Sequence, residues 1–289
     1  MRALVLSGGG SKGAYQVGAL EHMLGELKLQ YDIFVGISVG ALNSSFLSMY
    51  STGEEEQSIK GLVEVWNTVN DSRIFKLNHR RLPRRPYKRE KVSMARSALW
   101  ELSLYDSSPL QELVSQSLDP NRVSSSGKKL SVGCVSLDDG DIRFWNQDSS
   151  DIVKAVSASA SYPVFFTPVE IDGALWTDGG VRHTIPIERA LELGATEIDV
   201  ILTSPSSSVN SYNVDNTIDQ LLTIISVLLD EVWDTDLIIG SLIAEREDVT
   251  VRLLCPSGSL HTNSLDFNQD DIQKNRKRGY EEAKSIQWK

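Results

Sequence analysis

Apolar residues follow two different periods along this chain. Short apolar runs bounded by glycine or polar residues are typical of buried strands, whereas apolar residues three or four positions apart are typical of helices. The short runs predict strands at residues 3–6, 33–35, 130–137, 142–145, 169–171, 174–176, 198–202 and 249–254. The helical spacing predicts helices over 17–27, 39–49, 54–69, 108–118, 186–193, 217–244 and 270–285, and one that starts at 151. Strands that alternate with helices indicate an α/β protein.

The length changes this picture little, because 289 residues can form one large α/β domain or two small ones. We predict a single domain over residues 1–289, with the motif-bearing core in 1–205 and helices and a strand in 206–289. The stretch 217–244 carries more apolar residues than one buried helix face needs. Burial in the core is the default interpretation, and a self-association, regulatory-partner or membrane face is the alternative.

The net charge of −10 is unevenly distributed. Lys76 to Arg96 contains nine Lys or Arg residues and one acid, so this basic stretch carries +8 and the rest of the chain carries −18. The acidic remainder argues against general nucleic-acid binding. The basic stretch contains two prolines and predicts an irregular loop, for which a solvated surface and contact with anionic lipid headgroups are both open.

The chain offers little for metal or disulfide chemistry. Cys134 and Cys255 lie in strand-like runs without CxxC or Cys/His spacing, so we expect no metal and no cofactor. The first residues run directly into glycines, and no apolar stretch approaches about 20 residues. We therefore expect a cytoplasmic protein that meets a phospholipid membrane only at its surface.

The strongest candidate chemistry follows the second predicted strand. Gly36, Ser38 and Gly40 form Gly-x-Ser-x-Gly between the apolar run and a helix that begins near Val39. This is the nucleophile elbow, in which a strained turn exposes a serine hydroxyl and glycines relieve the crowding. The helix start directs its free N–H groups and positive dipole end toward Ser38, which favours the negative charge of an attacked acyl group.

A glycine-rich loop, Gly8-Gly9-Gly10-Ser11-Lys12-Gly13, follows the first predicted strand. It matches the spacing of a dinucleotide-binding turn, and Asp32 lies about the right distance further on. In that fold the acid ends the second strand, whereas Asp32 precedes it, and no Walker pattern is present. We predict that the loop forms an oxyanion hole from the N–H groups of Gly8, Gly9, Gly10, Ser11 and Lys12. Nucleotide or regulatory-ligand binding through its phosphate is the alternative.

Four motifs occur in a fixed order: Gly8-Gly9-Gly10-Ser11-Lys12-Gly13, Gly36-Ile37-Ser38-Val39-Gly40, Ala158-Ser159-Ala160-Ser161-Tyr162-Pro163 and Asp178-Gly179-Gly180. Over residues 1 to about 194 this resembles the patatin-like phospholipase family. The resemblance implies a three-layer α/β/α sandwich with a mainly parallel central sheet and calcium-independent hydrolysis of acyl esters in glycerophospholipids. It also implies that Ser38 is the nucleophile, Asp178 the general base of a dyad and the loop after Gly8 the oxyanion hole. Thr184 stands where the family usually has asparagine.

A histidine triad is the competing arrangement. His183, five residues after Asp178, is the serious candidate for its base. His22 on a helix face and His79 in the basic stretch are interpreted as structural or solvated.

Overall fold

The computed structural model describes residues 1–77, 102–205, 217–261 and 264–288. Most of the basic stretch, including His79, lies outside these residues. Within them, ten strands form an eight-stranded sheet and a two-stranded one. The strands are β1 (Arg2–Leu6), β2 (Ile33–Gly36), β3 (Lys76–Leu77), β4 (Tyr105–Asp106), β5 (Lys129–Ser136), β6 (Ile142–Asn146), β7 (Val169–Ile171), β8 (Ala174–Asp178), β9 (Glu197–Ile201) and β10 (Thr250–Leu254).

Helices connect most of these strands. Three of them are the elbow helix (Val39–Leu47), the long helix (Thr217–Arg246) and the closing helix (Gln269–Ala283). The others are Gly13–Leu20, which continues in a π-helical segment at Glu21–Glu26, and Glu55–Thr68, Asp71–Ile74, Ser108–Ser117, Pro120–Ser125, Ile152–Ser159 and Ile187–Glu192. Two short helices, Asp71–Ile74 and Pro120–Ser125, were not predicted from the sequence, although Asn70 and Asp119 cap them with side-chain oxygens.

The large sheet has the order β10-β9-β1-β2-β5-β8-β7, and β6 also pairs with β5. The five strands from β10 to β5 are parallel, while β6 and β8 run antiparallel to β5. On β5, β2 pairs with residues 129–132 and β8 with residues 134–136. Because β6 spans residues 131–135, it occupies the other edge, and β2 and β8 meet end to end along one edge of β5. Their carboxyl ends therefore converge.

Helices cover both faces of the sheet, as the three-layer prediction required. Alternate residues of β1 point to opposite faces: Leu4 and Leu6 join one apolar cluster, and Ala3 and Val5 join another. The predicted α/β fold with a mainly parallel sheet is confirmed. β10, from the C-terminal part, pairs along its full length with β9.

The prediction that the long helix is buried in the core holds for one face of the helix only. Trp233, Gly240 and Ala244 are buried, and a Cβ at Gly240 would overlap Ile187. The opposite face leaves large apolar side chains exposed. Among the described helices, none combines the length and apolarity that crossing a bilayer requires.

The closing helix packs against the first helix, Gly13–Leu20. Gly18 and Gly279 allow the backbones to touch, because a Cβ at either position would overlap a carbonyl of the facing helix. Tyr15 donates a hydrogen bond to Glu282 at 2.7 Å, and Arg276 forms an ion pair with Glu21. The helix that follows the glycine loop is thus held by residues more than 250 positions further along the chain.

Candidate active site

Ser38 lies at the turn between β2 and the elbow helix in a strained conformation, with φ of 56°. Few residues with a side chain adopt this region. Both flanking glycines are required sterically: a Cβ at Gly36 would overlap the carbonyl of Gly40, and a Cβ at Gly40 would overlap that of Leu6. The turn thereby presents Ser38 beside the amide of Val39, the first residue of the elbow helix. The next two amides, of Gly40 and Ala41, donate to the carbonyls of Ile37 and Ser38.

Ser159 supports this strained turn, a role that the sequence analysis did not assign. Its Oγ accepts a hydrogen bond from the Ser38 amide at 2.9 Å and donates one to the Gly133 carbonyl at 2.8 Å. The serine is fully buried.

Asp178 is the last residue of β8, two positions beyond the predicted end of this strand. Its Oδ1 accepts a hydrogen bond from the Gly180 amide at 2.8 Å, and the side chain is almost fully buried. Burial raises the pKa of Asp178 to about 7, although hydrogen bonds from Gly180 and from the Ser38 side chain partly lower it. The carboxyl group thus lies near the Ser38 side chain and has a pKa near neutrality, which suits a general base.

The glycine loop lies beside Ser38, and a Cβ at Gly8 would approach the Ser38 Cβ to 3.2 Å. Gly9 and Gly10 have φ of 150° and 58°, and a Cβ on them would overlap Thr203 and the Ser264 carbonyl. These constraints explain the glycines without a bound nucleotide.

Two amides of the predicted five-residue oxyanion hole already have acceptors. The Ser11 amide donates to the Ser264 carbonyl at 3.0 Å, and the Lys12 amide donates to the Gly9 carbonyl at 3.2 Å. Both donors are therefore already engaged inside the protein. Gly8, Gly9 and Gly10 line the cavity beside Ser38 and remain the candidates from this loop.

A buried polar network supports the loop from behind. Gln16 donates to the Ser7 carbonyl at 2.8 Å, Asn43 donates to Gln16 at 2.9 Å, and the Trp66 indole donates to Asn43 at 2.9 Å. The network links the helix after the glycine loop, the elbow helix and Glu55–Thr68. Sequence periodicity did not identify it, because its polar members lie among apolar neighbours.

Ser38 and Asp178 both line one cavity of about 740 Å³, within the range that holds a small organic ligand. Its polar end also contains Lys12. Burial lowers the pKa of Lys12, and the charge of Asp230 only partly opposes this effect. The rest is mainly apolar, with walls that include Leu42, Phe46, Leu62, Trp66, Leu110, Leu113, Val156, Phe166 and Phe267.

The structure places the competing residues elsewhere. His183 Nδ1 lies 3.0 Å from Asp236 Oδ1 on the long helix, an interaction that raises the pKa of this histidine, and His183 is not among the cavity residues. His22 pairs with Glu26, as a structural role predicts. Asp32 accepts a hydrogen bond from the Arg2 amide at the amino end of the sheet, opposite the glycine loop. It therefore cannot act as the ribose ligand of a dinucleotide site.

The Asp236 carboxylate holds the segment after Asp178. Besides His183, it accepts hydrogen bonds from the amides of Thr184 at 2.5 Å and Ile185 at 2.9 Å. Thr184, at the position where the resemblance suggested asparagine, donates from its hydroxyl to the Gly180 carbonyl at 3.5 Å.

The chain is similar to known proteins in sequence and in fold. A family model described as patatin-like phospholipase matches residues 4–191. The uncharacterized protein YjjU of Escherichia coli (strain K12) is 23% identical over 205 residues, which cover 71% of this chain and 52% of YjjU. The uncharacterized protein YqhO of Bacillus subtilis (strain 168) is 28% identical over 200 residues, which cover 63% of this chain and 64% of YqhO. The chain thus spans about half to two thirds of the length of these relatives.

A solved structure shares the fold. The crystal structure of VipD from Legionella pneumophila superposes with a TM-score of 0.51 at 14% identity, covering 98% of this chain and 66% of VipD. At that identity the likeness concerns the fold alone.

Proposed function

The chain belongs to the patatin-like phospholipase family, and from that premise we propose that it is a serine lipid acyl hydrolase that cleaves acyl esters of membrane glycerophospholipids. Ser38 is its nucleophile and Asp178 its general base. The protein requires no metal in this proposal, and it acts from the cytoplasm on the surface of a phospholipid membrane.

The reaction follows from the two side chains. The Ser38 Oγ attacks the ester carbonyl carbon while Asp178 accepts the hydroxyl proton. The oxyanion of the tetrahedral intermediate faces the amides of Gly9, Gly10 and Val39, at the positive end of the elbow helix. Collapse of the intermediate expels the alcohol, which takes the proton from Asp178 and leaves an acyl-serine. Water then attacks the acyl-serine with Asp178 again as base, releasing the fatty acid and restoring Ser38.

One observation carries the proposal: a strained serine and a buried carboxyl group line the same mainly apolar cavity. Strain at a turn and a raised carboxyl pKa each reduce stability, and together they are typical of a reaction centre. The apolar walls favour a long acyl chain, because each buried methylene contributes about 0.8 kcal/mol.

A fluorophosphonate probe tests the nucleophile directly. We expect the probe to modify Ser38, with labelling lost in Ser38→Ala and retained in Ser226→Ala, a control serine on the cavity wall. Fatty acid release from phosphatidylcholine vesicles should fall on the order of 10³-fold or more in both Ser38→Ala and Asp178→Asn. Labelling at another serine, or full hydrolysis by both variants, would exclude the dyad.

A further inference from the structure

The outward face of the long helix carries an exposed apolar stripe. Of eleven exposed large apolar side chains in the described part of the protein, six lie on this helix and are 41–61% exposed. They form two groups of three, which are Ile224, Val227 and Leu228 near one end and Ile238, Ile239 and Leu242 near the other. Spacings of three and four positions within each group, and of 14 positions from Ile224 to Ile238, place all six on one side of the helix.

Two polar residues separate the groups. Glu231 and Thr235 lie on the same side of the helix and are exposed. The pattern is symmetric about position 233. Each residue of the first half has a counterpart at the same distance on the other side of position 233. The pairs are 224 with 242, 227 with 239 and 228 with 238, which are all apolar, and Glu231 with Thr235.

The inward face already holds the helix in place. Trp233 belongs to the apolar cluster beneath the sheet, Gly240 allows close packing on Ile187, and Asp236 accepts the amides of Thr184 and Ile185. Attachment to the protein body therefore does not require the outer stripe. An exposed apolar surface of this kind commonly marks an interaction site.

We propose that the stripe binds the same stripe of a second copy of this chain, with the two long helices antiparallel across a two-fold axis near position 233. A two-fold interface is self-complementary, so residue i faces the partner's residue 466 − i. Leu228 then packs against Ile238 of the partner subunit, and Ile224 against the partner's Leu242. The Thr235 hydroxyl faces the partner's Glu231, where it donates a hydrogen bond to the carboxylate.

Glu231 favours a second copy over a bilayer as the occupant. A bilayer would surround this central carboxylate with hydrocarbon that offers no hydrogen-bond donor. The exposed Asp230 and Asp234 alongside it would also repel anionic lipid. The stripe is about 27 Å long at 1.5 Å per residue. Two such helices bury on the order of 1,000 Å², the lower bound for a specific interface.

Sedimentation equilibrium tests the association. We expect the wild type to reach twice the mass of the chain with rising concentration. Leu228→Glu/Ile238→Glu should raise the dimer dissociation constant at least about 100-fold, because four carboxylates would enter the apolar contact. Leu137→Glu is the matched control, since Leu137 is 52% exposed on a different surface. A monomeric wild type, or equal dissociation constants for all three proteins, would overturn the proposal.

Cross-linking tests the register in a Cys255→Ser background, because Cys134 is buried. A mixture of Leu228→Cys and Ile238→Cys should cross-link as a heterodimer. Leu228→Cys alone should not cross-link, because the two copies of position 228 lie about 15 Å apart along the helix axis. Efficient cross-linking of Leu228→Cys alone would indicate a parallel pair and refute the arrangement. If the wild type is monomeric and binds vesicles, and Leu228→Glu/Ile238→Glu does not bind them, the stripe would instead be assigned to a bilayer. None of these measurements depends on hydrolase activity, so they remain informative if the proposed function fails.

Discussion

Replacing Asp178 by asparagine should abolish hydrolysis and at the same time stabilise the fold. The carboxyl group is buried beside Ser38, where its charged form has lost most of its solvation. Asparagine has nearly the same shape, stays neutral and can still accept the hydrogen bond from the Gly180 amide. The variant thus removes a buried charge without opening a cavity.

The magnitude follows from the pKa of Asp178, which burial raises from 3.8 to about 7. Because the folded state binds this proton more tightly than the unfolded chain, wild-type stability falls as the pH rises from about 4 through 7. The full difference is about 4 kcal/mol above pH 7, and it is an upper limit because the surroundings relax. The advantage of Asp178→Asn should therefore be greatest above pH 7 and vanish below about pH 4.

Thermal unfolding measured across this pH range provides the assay. The melting temperature of Asp178→Asn should exceed that of the wild type by roughly 5–10 °C at pH 8 and converge with it in acid. Asp138→Asn, at an exposed turn, is the matched control and should leave the curve unchanged. Equal melting temperatures of Asp178→Asn and wild type at pH 8 would refute the view that Asp178 is a strained, desolvated base.

Three further predictions concern the same site. Asp178 must be ionised to accept a proton, and its pKa is about 7. The value of kcat/KM on a soluble ester should therefore fall about tenfold per pH unit below 7 and level off above it. A flat profile down to pH 5 would contradict this role. Ser159→Ala should lower kcat about 10- to 100-fold with little change in KM, because the Ser38 amide loses its acceptor, whereas Ser157→Ala should not, since its hydroxyl bonds only Val153. Gly9→Ala should abolish fluorophosphonate labelling through overlap with Thr203, while Gly140→Ala, in an open turn, should retain it; equal labelling would show that the loop tolerates side chains.

The sequence predicted the fold well where local pattern and packing agree. Most strands and helices match within one or two residues, because glycine, proline and capping residues mark their ends. The convergence of Ser38 and Asp178, 140 positions apart, was predicted through the motifs and their resemblance to a family. The shared edge of β5 explains it physically, but strand register across such distances cannot be read from periodicity.

The remaining features of the site depend on contacts between distant residues. Asp236 is one of several acids on a long helix, and nothing local indicates that it holds the amides after Asp178. Asp236 also pairs with His183, 53 positions earlier, and this pairing holds the histidine away from Ser38 and Asp178. Similarly, the hydrogen bonds that occupy the Ser11 and Lys12 amides depend on how the loop folds against Ser264. The apolar excess of the long helix was visible in sequence, but the buried face was not.

The backbone contact between the first helix and the closing helix has a consequence for biosynthesis. Tyr15 and Glu282 are 267 positions apart, so at about 5–20 residues per second the ribosome takes roughly 13–53 s to supply the second after the first. During that interval the helix after the glycine loop lacks its partner, and the apolar surface around Tyr15 is open to chaperones. The helix beside the glycine loop is therefore completed only after the ribosome has passed Glu282.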